Sequence, residues 1–82
     1  MKSVLYTRTA AMALRKHANR AKLIQTKIRQ YAGDALSQAN NVKPLVGVDA
    51  KRLRVGDFRV IFTETTDTIT ILDIGPRGGI YE

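Results

Sequence analysis

The feature that most constrains the fold is a glycine–aspartate pair, Gly56-Asp57, between two segments in which apolar and polar residues alternate. Alternation with a period of two is typical of a β-strand that buries one face. A two-residue loop with glycine in first position fits a type II′ turn. The sequence therefore predicts a β-hairpin with strands over residues 50–55 and 58–63.

The register of this hairpin places three arginines on one face of the sheet. Val55 is the predicted partner of Phe58, so Arg54 lies opposite Arg59, and alternation adds Arg52 to the same face. Like charges directly opposite each other destabilise a strand pair. Stability alone therefore does not explain the arrangement, although long guanidinium groups could also splay into water. Arginine keeps its charge and binds phosphate in a bidentate manner, which favours a phosphate-binding patch.

Further strands and a connection complete the second half of the chain. Residues 34–49 contain turn residues and are predicted to be a connection. Residues 68–74 are rich in Thr, Ile and Val and are predicted to form a third antiparallel strand after a turn at Thr65-Thr66. That turn would pair Val60 with Ile71, and the apolar face of the resulting meander is the expected seat of the helices.

The first half of the chain is predicted to form one strand and two helices. Residues 3–7 are rich in β-formers, and apolar residues then recur at helical spacing from about Thr9. Asn19 is the predicted break, a second helix is expected over residues 20–32, and Gly33 ends it. The fold class is therefore α+β, with an N-terminal strand, a two-helix hairpin and an antiparallel β-meander in two layers.

Composition excludes several classes of function. The 82 residues include no cysteine and one histidine, which excludes thiolate sites, most zinc sites and clusters of catalytic histidines. No apolar run approaches the ~20 residues of a membrane span, so we expect a cytoplasmic protein without a membrane partner or a cofactor. The net charge of +7 favours nucleic acid or an acidic protein as partner, the alternative being a role in solubility alone.

Four elements of the sequence carry a resemblance to a known family. They are the arginine-bearing hairpin at residues 52–62, the Gly-Pro-Arg end of residues 71–77, Tyr81, and the Leu-Val-Gly at residues 45–47. Together they resemble the RelE/ParE superfamily of toxins from type II toxin–antitoxin systems. The resemblance covers nearly the whole chain and implies a single toxin domain over residues 1–82.

The resemblance implies a toxin that a cognate antitoxin neutralises. RelE-like toxins enter the ribosomal A site and cut mRNA, where the 2′-hydroxyl attacks the adjacent phosphate. We expect this activity, with the ribosome and mRNA as partners. Two alternatives stay open: a ParE-like inhibitor of DNA gyrase without nuclease activity, and a non-catalytic component that binds the antitoxin.

The resemblance also assigns roles to four catalytic candidates. Arg59 matches the arginine that binds phosphate, and Arg77 matches the arginine that assists the leaving group. Tyr81 matches the tyrosine that orients or stacks on the nucleotide. Arg52 stands where RelE-like enzymes have a lysine that stabilises the transition state.

One position departs from the pattern of the family. RelE-like enzymes have a further lysine, a candidate base, where this chain has Ala50. The adjacent Lys51 is predicted by alternation to point to the opposite face of the sheet. Lys51 and Arg54 are retained as candidates for nucleic-acid binding. Whether the chain is an enzyme is left open, because arginine, with a pKa above ~12, is a poor base.

Overall fold

The strands of the protein form one five-stranded sheet, and its helices lie between the first strand and the others in sequence. The computed structural model describes residues 1–78. The strands are β1 (Ser3–Tyr6), β2 (Val42–Pro44), β3 (Lys51–Val55), β4 (Phe58–Glu64) and β5 (Thr68–Pro76). The helices are α1 (Arg8–Lys16), α2 (Ala18–Gly33) and a 3₁₀ helix, η1 (Ala35–Asn41).

The strand order of the sheet is β1-β5-β4-β3-β2, with β1 parallel to β5 and the other neighbours antiparallel. The α+β class is confirmed, but the antiparallel part contains one strand more than predicted. This strand, β2, lies in residues 34–49, which were predicted to be a connection. It has three residues and ends at Pro44, which has no N–H to donate, so its sequence resembles that of a loop.

The predicted hairpin and its register are confirmed. Val55 pairs with Phe58 and Arg54 with Arg59 across the two-residue turn. Gly56 has φ = 58°, and no other residue type in the described chain has a positive φ. The turn therefore has its left-handed residue in first position, as type II′ requires.

The predicted register between β4 and β5 is wrong. Val60 pairs with Ile74 rather than with Ile71. Residues 65–68 lie between the last paired positions, Glu64 and Ile69, and a bulge leaves Leu72 without a partner on β4. Before the bulge, the pairing is shifted by two residues from the prediction, and alternation cannot distinguish two registers that differ by an even number. Beyond the bulge, the extra residue makes the shift three.

The boundaries of the helices differ slightly from the prediction. The side chain of Thr7 accepts a hydrogen bond from the backbone N–H of Ala10 at 3.2 Å and caps α1. The break between the helices falls at His17, not at Asn19. The rings of His17 and Phe58 pack in a T-shaped arrangement with centroids 4.9 Å apart, which holds the junction against the β3–β4 hairpin.

The hydrophobic core lies between the helices and one face of the sheet. Its buried residues are Ala10, Ile24, Ile28, Tyr31 and Ala32 from the helices and Leu53, Val55, Val60, Phe62, Ile69, Ile71 and Ile74 from the strands. Because side chains alternate along a strand, the arginines of β3 and β4 lie on the opposite face. None of the helices in the described chain combines the length and the apolar character needed to cross a bilayer.

Candidate nucleic-acid interface

The candidate site is built by the β3–β4 hairpin and by the chain that follows β5. Arg54 and Arg59 form the second residue pair from the turn. The backbone N–H of Arg77 donates to the carbonyl oxygen of Asp57 at 2.7 Å. This bond ties the end of β5 to the tip of the hairpin and so brings a third arginine to the same place.

Four cationic side chains line a concavity of about 480 Å³ at this point: Lys27, Arg54, Arg59 and Arg77. Asp57 is the one acid among the described residues that line it. Within the described chain, no acidic side chain forms an ion pair with Lys27, Arg54 or Arg77. The concavity is therefore a focus of positive charge that suits a polyanion.

Arg59 is the most buried of these cations, with 6% of its surface exposed. Its Nη1 donates to the carbonyl oxygen of Phe58 at 3.3 Å. Charged residues are seldom buried to this degree, and a guanidinium does not give up its proton at the pH of a cell. Arg59 thus presents a permanent charge on a side chain that packing and hydrogen bonding hold in place.

The basic surface continues from the concavity towards the β2 edge of the sheet. A smaller hollow of about 80 Å³ is lined by Arg52, Arg54 and Arg59 together with Asn40, Asn41 and Lys43. The structure therefore brings together four of the predicted residues, Arg52, Arg54, Arg59 and Arg77. Their catalytic and nucleic-acid-binding roles stay predictions. Tyr81 lies outside the described residues.

Lys51 does not join the arginines. Its Nζ lies 2.9 Å from Oε1 of Glu64, whose Oε2 accepts from Nζ of Lys2 at 2.6 Å. The hydroxyl of Tyr31 also donates to Oε1 at 2.6 Å, so a single carboxylate connects the N-terminus, α2 and β3. Lys51 therefore lies on the helical side of the sheet, as alternation predicts, and its role in binding nucleic acid stays untested.

This network perturbs two titratable groups. Burial by itself would raise the pKa of Glu64, but hydrogen bonds from Lys2, Tyr31 and Lys51 outweigh it and lower the pKa to about 2. Burial raises the pKa of Tyr31 above its ordinary value, and the hydrogen bond to Glu64 raises it further. Over the physiological range Glu64 is therefore ionised while Tyr31 keeps its proton, and the network acts as a structural tie.

Two residues at the concavity were not predicted from the sequence. Lys27 lines it from α2, and Asn41 lines it from the end of η1. Lys27 lies between Ile24 and Ile28 in sequence, and this position on the flank of an apolar stripe was the available signal. Asn41 carried no comparable signal, because the prediction placed it in a connection.

The family pattern predicts a lysine, the candidate base, at the position of Ala50, and no lysine of β3 lies on the arginine face in its place. Ala50 is buried, and its carbonyl accepts a hydrogen bond from the N–H of Leu45 at 2.9 Å. The residues that follow it on the arginine face are Arg52 and Arg54. Among residues 1–78, no three His, Cys, Asp or Glu side chains are grouped so that they could hold a metal ion.

Solved structures with the same fold are toxins and toxin–antitoxin complexes. No protein-family model and no curated protein matches the sequence. YafQ from E. coli strain BL21(DE3) superimposes with a TM-score of 0.79 at 11% identity, over 100% of both chains. A chain of the archaeal RelE–RelB complex from Pyrococcus horikoshii OT3 gives 0.76 at 23% identity, over 96% of this chain and 98% of that one.

A third structure is the toxin–antitoxin complex RelBE2 from Mycobacterium tuberculosis. It matches with a TM-score of 0.67 at 26% identity, over 93% of this chain and 98% of the other. All three similarities extend over more than nine-tenths of both chains. The whole domain, and not only the arginine-bearing hairpin, therefore has its counterpart in these proteins.

Proposed function

From the RelE-type toxin fold of this chain and its arginine-lined concavity, we propose that it is the toxin of a type II toxin–antitoxin system that cleaves mRNA on the ribosome. The observation that carries the proposal is the gathering of Arg54, Arg59 and Arg77 in one concavity on a fold shared with RelE and YafQ. A ribosomal target would place this activity in the cytoplasm.

The chemistry of the proposed reaction matches what these side chains offer. The 2′-oxygen loses its proton and attacks the adjacent phosphorus, the bond to the 5′-oxygen breaks, and that oxygen takes up a proton. The products are a 2′,3′-cyclic phosphate and a free 5′-hydroxyl. Negative charge builds up on the phosphate during this step, and guanidinium groups already in place stabilise it without reorganisation.

The position of each arginine supports a separate role for it in the proposed reaction. Arg59, which burial holds in place, contacts the scissile phosphate. Arg77, which the bond to the hairpin tip brings near, lies on the side where the leaving 5′-oxygen gains charge. Arg52, at the position of the transition-state lysine, adds its charge beside Arg59, and Arg54 contacts a flanking phosphate. Because guanidinium groups do not act as bases at neutral pH, the arginines contribute charge and orientation, and proton abstraction does not fall to them.

The proposed partner of the free toxin is a cognate antitoxin. Two of the similar structures are complexes of a toxin with its antitoxin. The net charge of +7 on this chain favours an antitoxin that supplies acidic side chains. Such a partner would cover cationic surface that would otherwise meet ribosomal RNA.

The endonuclease proposal is tested by inducing the chain in cells and mapping mRNA 5′ ends by primer extension. We expect discrete cuts within translated codons. Arg59→Ala and Arg77→Ala are each expected to lower cleavage by about 100-fold, since each removes a charge from the transition state. Arg15→Ala, at an exposed position on α1, is the matched control and should cleave normally.

Two results would contradict the proposal. Full cleavage by both arginine variants would show that the concavity is not the site. Intact mRNA together with a DNA-damage response would identify the gyrase-inhibitor function instead. Circular dichroism and antitoxin binding of the variants, both expected to be unchanged, exclude misfolding as the cause of lost activity.

A further inference from the structure

The helical layer contributes a second wall to the arginine-lined concavity. Lys27 is half-buried on the flank of α2, one residue before the fully buried Ile28. Other cations of α2, such as Lys22 and Arg29, are exposed and do not line this space. Lys27 is therefore the cation of α2 that lines the concavity together with the arginines of the sheet.

Asn41 lies in the same wall and is held by a chain of side-chain amides. Its Nδ2 donates to Oε1 of Gln38 at 3.2 Å, and Nε2 of Gln38 donates to Oε1 of Gln30 on α2 at 3.1 Å. Gln38 is buried, with 5% of its surface exposed. Because the buried Gln38 lies at the centre of this chain of amides, the chain limits the orientations of Asn41, and the orientation of its amide is set before any ligand arrives.

The two side chains suit different parts of a nucleotide. An ammonium group offers donors and charge, which match phosphate oxygens. An amide offers an acceptor and a donor in one plane, which match the edge of a nucleobase. One hydrogen of the Asn41 Nδ2 is engaged with Gln38, which leaves the other hydrogen and Oδ1 for such an edge.

We propose that Lys27 and Asn41 form a nucleotide-binding wall opposite the arginines, in which Lys27 contacts a phosphate and Asn41 the edge of the adjacent base. This inference rests on the proposed function and deepens it, because it assigns sequence preference to the helical layer and cleavage to the sheet. Phosphate contacts hold RNA without reading its sequence, whereas contacts to base edges discriminate between bases.

Binding is measured with short RNA oligonucleotides that carry 2′-O-methyl groups, which cannot be cleaved by 2′-hydroxyl attack. Lys27→Met is expected to weaken binding of all sequences by about tenfold and to lower the slope of log K against log salt concentration by about 1. Asn41→Ala is expected to keep the salt slope and to reduce the ratio of affinities between oligonucleotides that differ at one base by about tenfold.

Matched controls come from exposed residues of α2. Lys22→Met removes the same charge and Asn19→Ala the same amide, and neither should change affinity, salt slope or base preference. Mapped cleavage on ribosomes is measured in parallel. Lys27→Met should lower all cuts together, and Asn41→Ala should redistribute them among codons.

The outcomes separate this inference from the proposed function. If Lys27→Met behaves like Lys22→Met, or if Asn41→Ala keeps the base preference, the two-walled site is overturned while the endonuclease proposal stands. If the wild type binds oligonucleotides as expected but cuts no mRNA, the endonuclease proposal fails and the binding wall stands. Absence of wild-type binding to any oligonucleotide overturns the wall.

Discussion

Glu64 is the residue whose replacement tests the energetics of this fold most directly. Its side chain is 11% exposed and accepts hydrogen bonds from Lys2, Tyr31 and Lys51, which come from three separate parts of the chain. Glu64→Gln keeps the shape of the side chain and removes its charge. The two lysines then lose their counter-ion, and we expect the folded state to be destabilised.

The magnitude follows from the pKa of this carboxyl. Its value falls from 4.5 to about 2 on folding, and at about 1.4 kcal/mol per pH unit the difference corresponds to about 3 kcal/mol. The side chains of Lys2 and Lys51 are 30% and 45% exposed, so solvent screening reduces this to about 2 kcal/mol. For a domain of this size such a loss lowers Tm by about 8 to 16 °C.

The pH dependence has a definite sign. Because the pKa of Glu64 is lower in the folded than in the unfolded state, its stabilising contribution is complete above pH 4.5. It is lost as the pH falls towards 2. The wild type should therefore lose stability over this window, and Glu64→Gln should lose about 2 kcal/mol less.

Urea denaturation, followed by circular dichroism at pH 7 and between pH 5 and pH 2.5, measures both effects. Asp49→Asn is the control, because Asp49 is exposed and makes none of the bonds described above. It should change the free energy of unfolding by less than about 0.5 kcal/mol. Equal midpoints for Glu64→Gln and wild type at pH 7, or equal acid losses, would refute the reasoning.

Three further substitutions, the first with a matched control, test other parts of the molecule. Gly56→Ala should lower the free energy of unfolding by about 1 to 2 kcal/mol, because φ = 58° is strained for alanine. Gly33→Ala, at the end of α2 and with open space around it, is the control and should be neutral or stabilising in the same urea titration. Tyr31→Phe should lower the free energy of unfolding by about 1 to 2 kcal/mol, because the hydrogen bond to Glu64 is lost. An unchanged Tm in thermal melts would contradict this expectation. Gln38→Met should reproduce the loss of base preference of Asn41→Ala with its fold retained; an unchanged preference would mean that Asn41 needs no support.

The part of the site that was predictable from sequence is the part that local rules determine. A glycine in the turn and strict alternation on both sides determine the register of the β3–β4 hairpin, and with it the meeting of Arg54 and Arg59. The roles of these arginines came from the resemblance to the RelE/ParE superfamily, not from local rules.

The rest of the site depends on tertiary packing. Lys27 reaches the concavity because α2 crosses the hairpin at a particular place, and no local pattern encodes this crossing. The register of β5 depends on a loop and a bulge at Leu72 that leave the alternation of apolar residues nearly unchanged. Strand β2 has three residues and ends with Pro44, so its composition does not differ from that of a loop.

Along β3, residues that stabilise the fold alternate with residues that face the candidate site. Lys51 and Leu53 face the helices, where they form an ion pair and part of the core, while Arg52 and Arg54 face the candidate site. A slip of one residue would exchange the two sets and bury the arginines in the core. The same slip would turn Lys51 away from the helical face and break its ion pair with Glu64.

This division predicts how the two ends of the hairpin respond to change. The hydrogen-bond partners of Glu64, which are Lys2, Tyr31 and Lys51, do not line the concavity. Glu64→Gln should therefore lower Tm and leave the pattern of mRNA cuts unchanged at temperatures well below the transition. Gly56 lies in the wall of the concavity itself, so Gly56→Ala should reduce cleavage as well as stability. If Glu64→Gln instead altered the positions of the cuts, the two faces of the sheet would be coupled and the division of roles would be wrong.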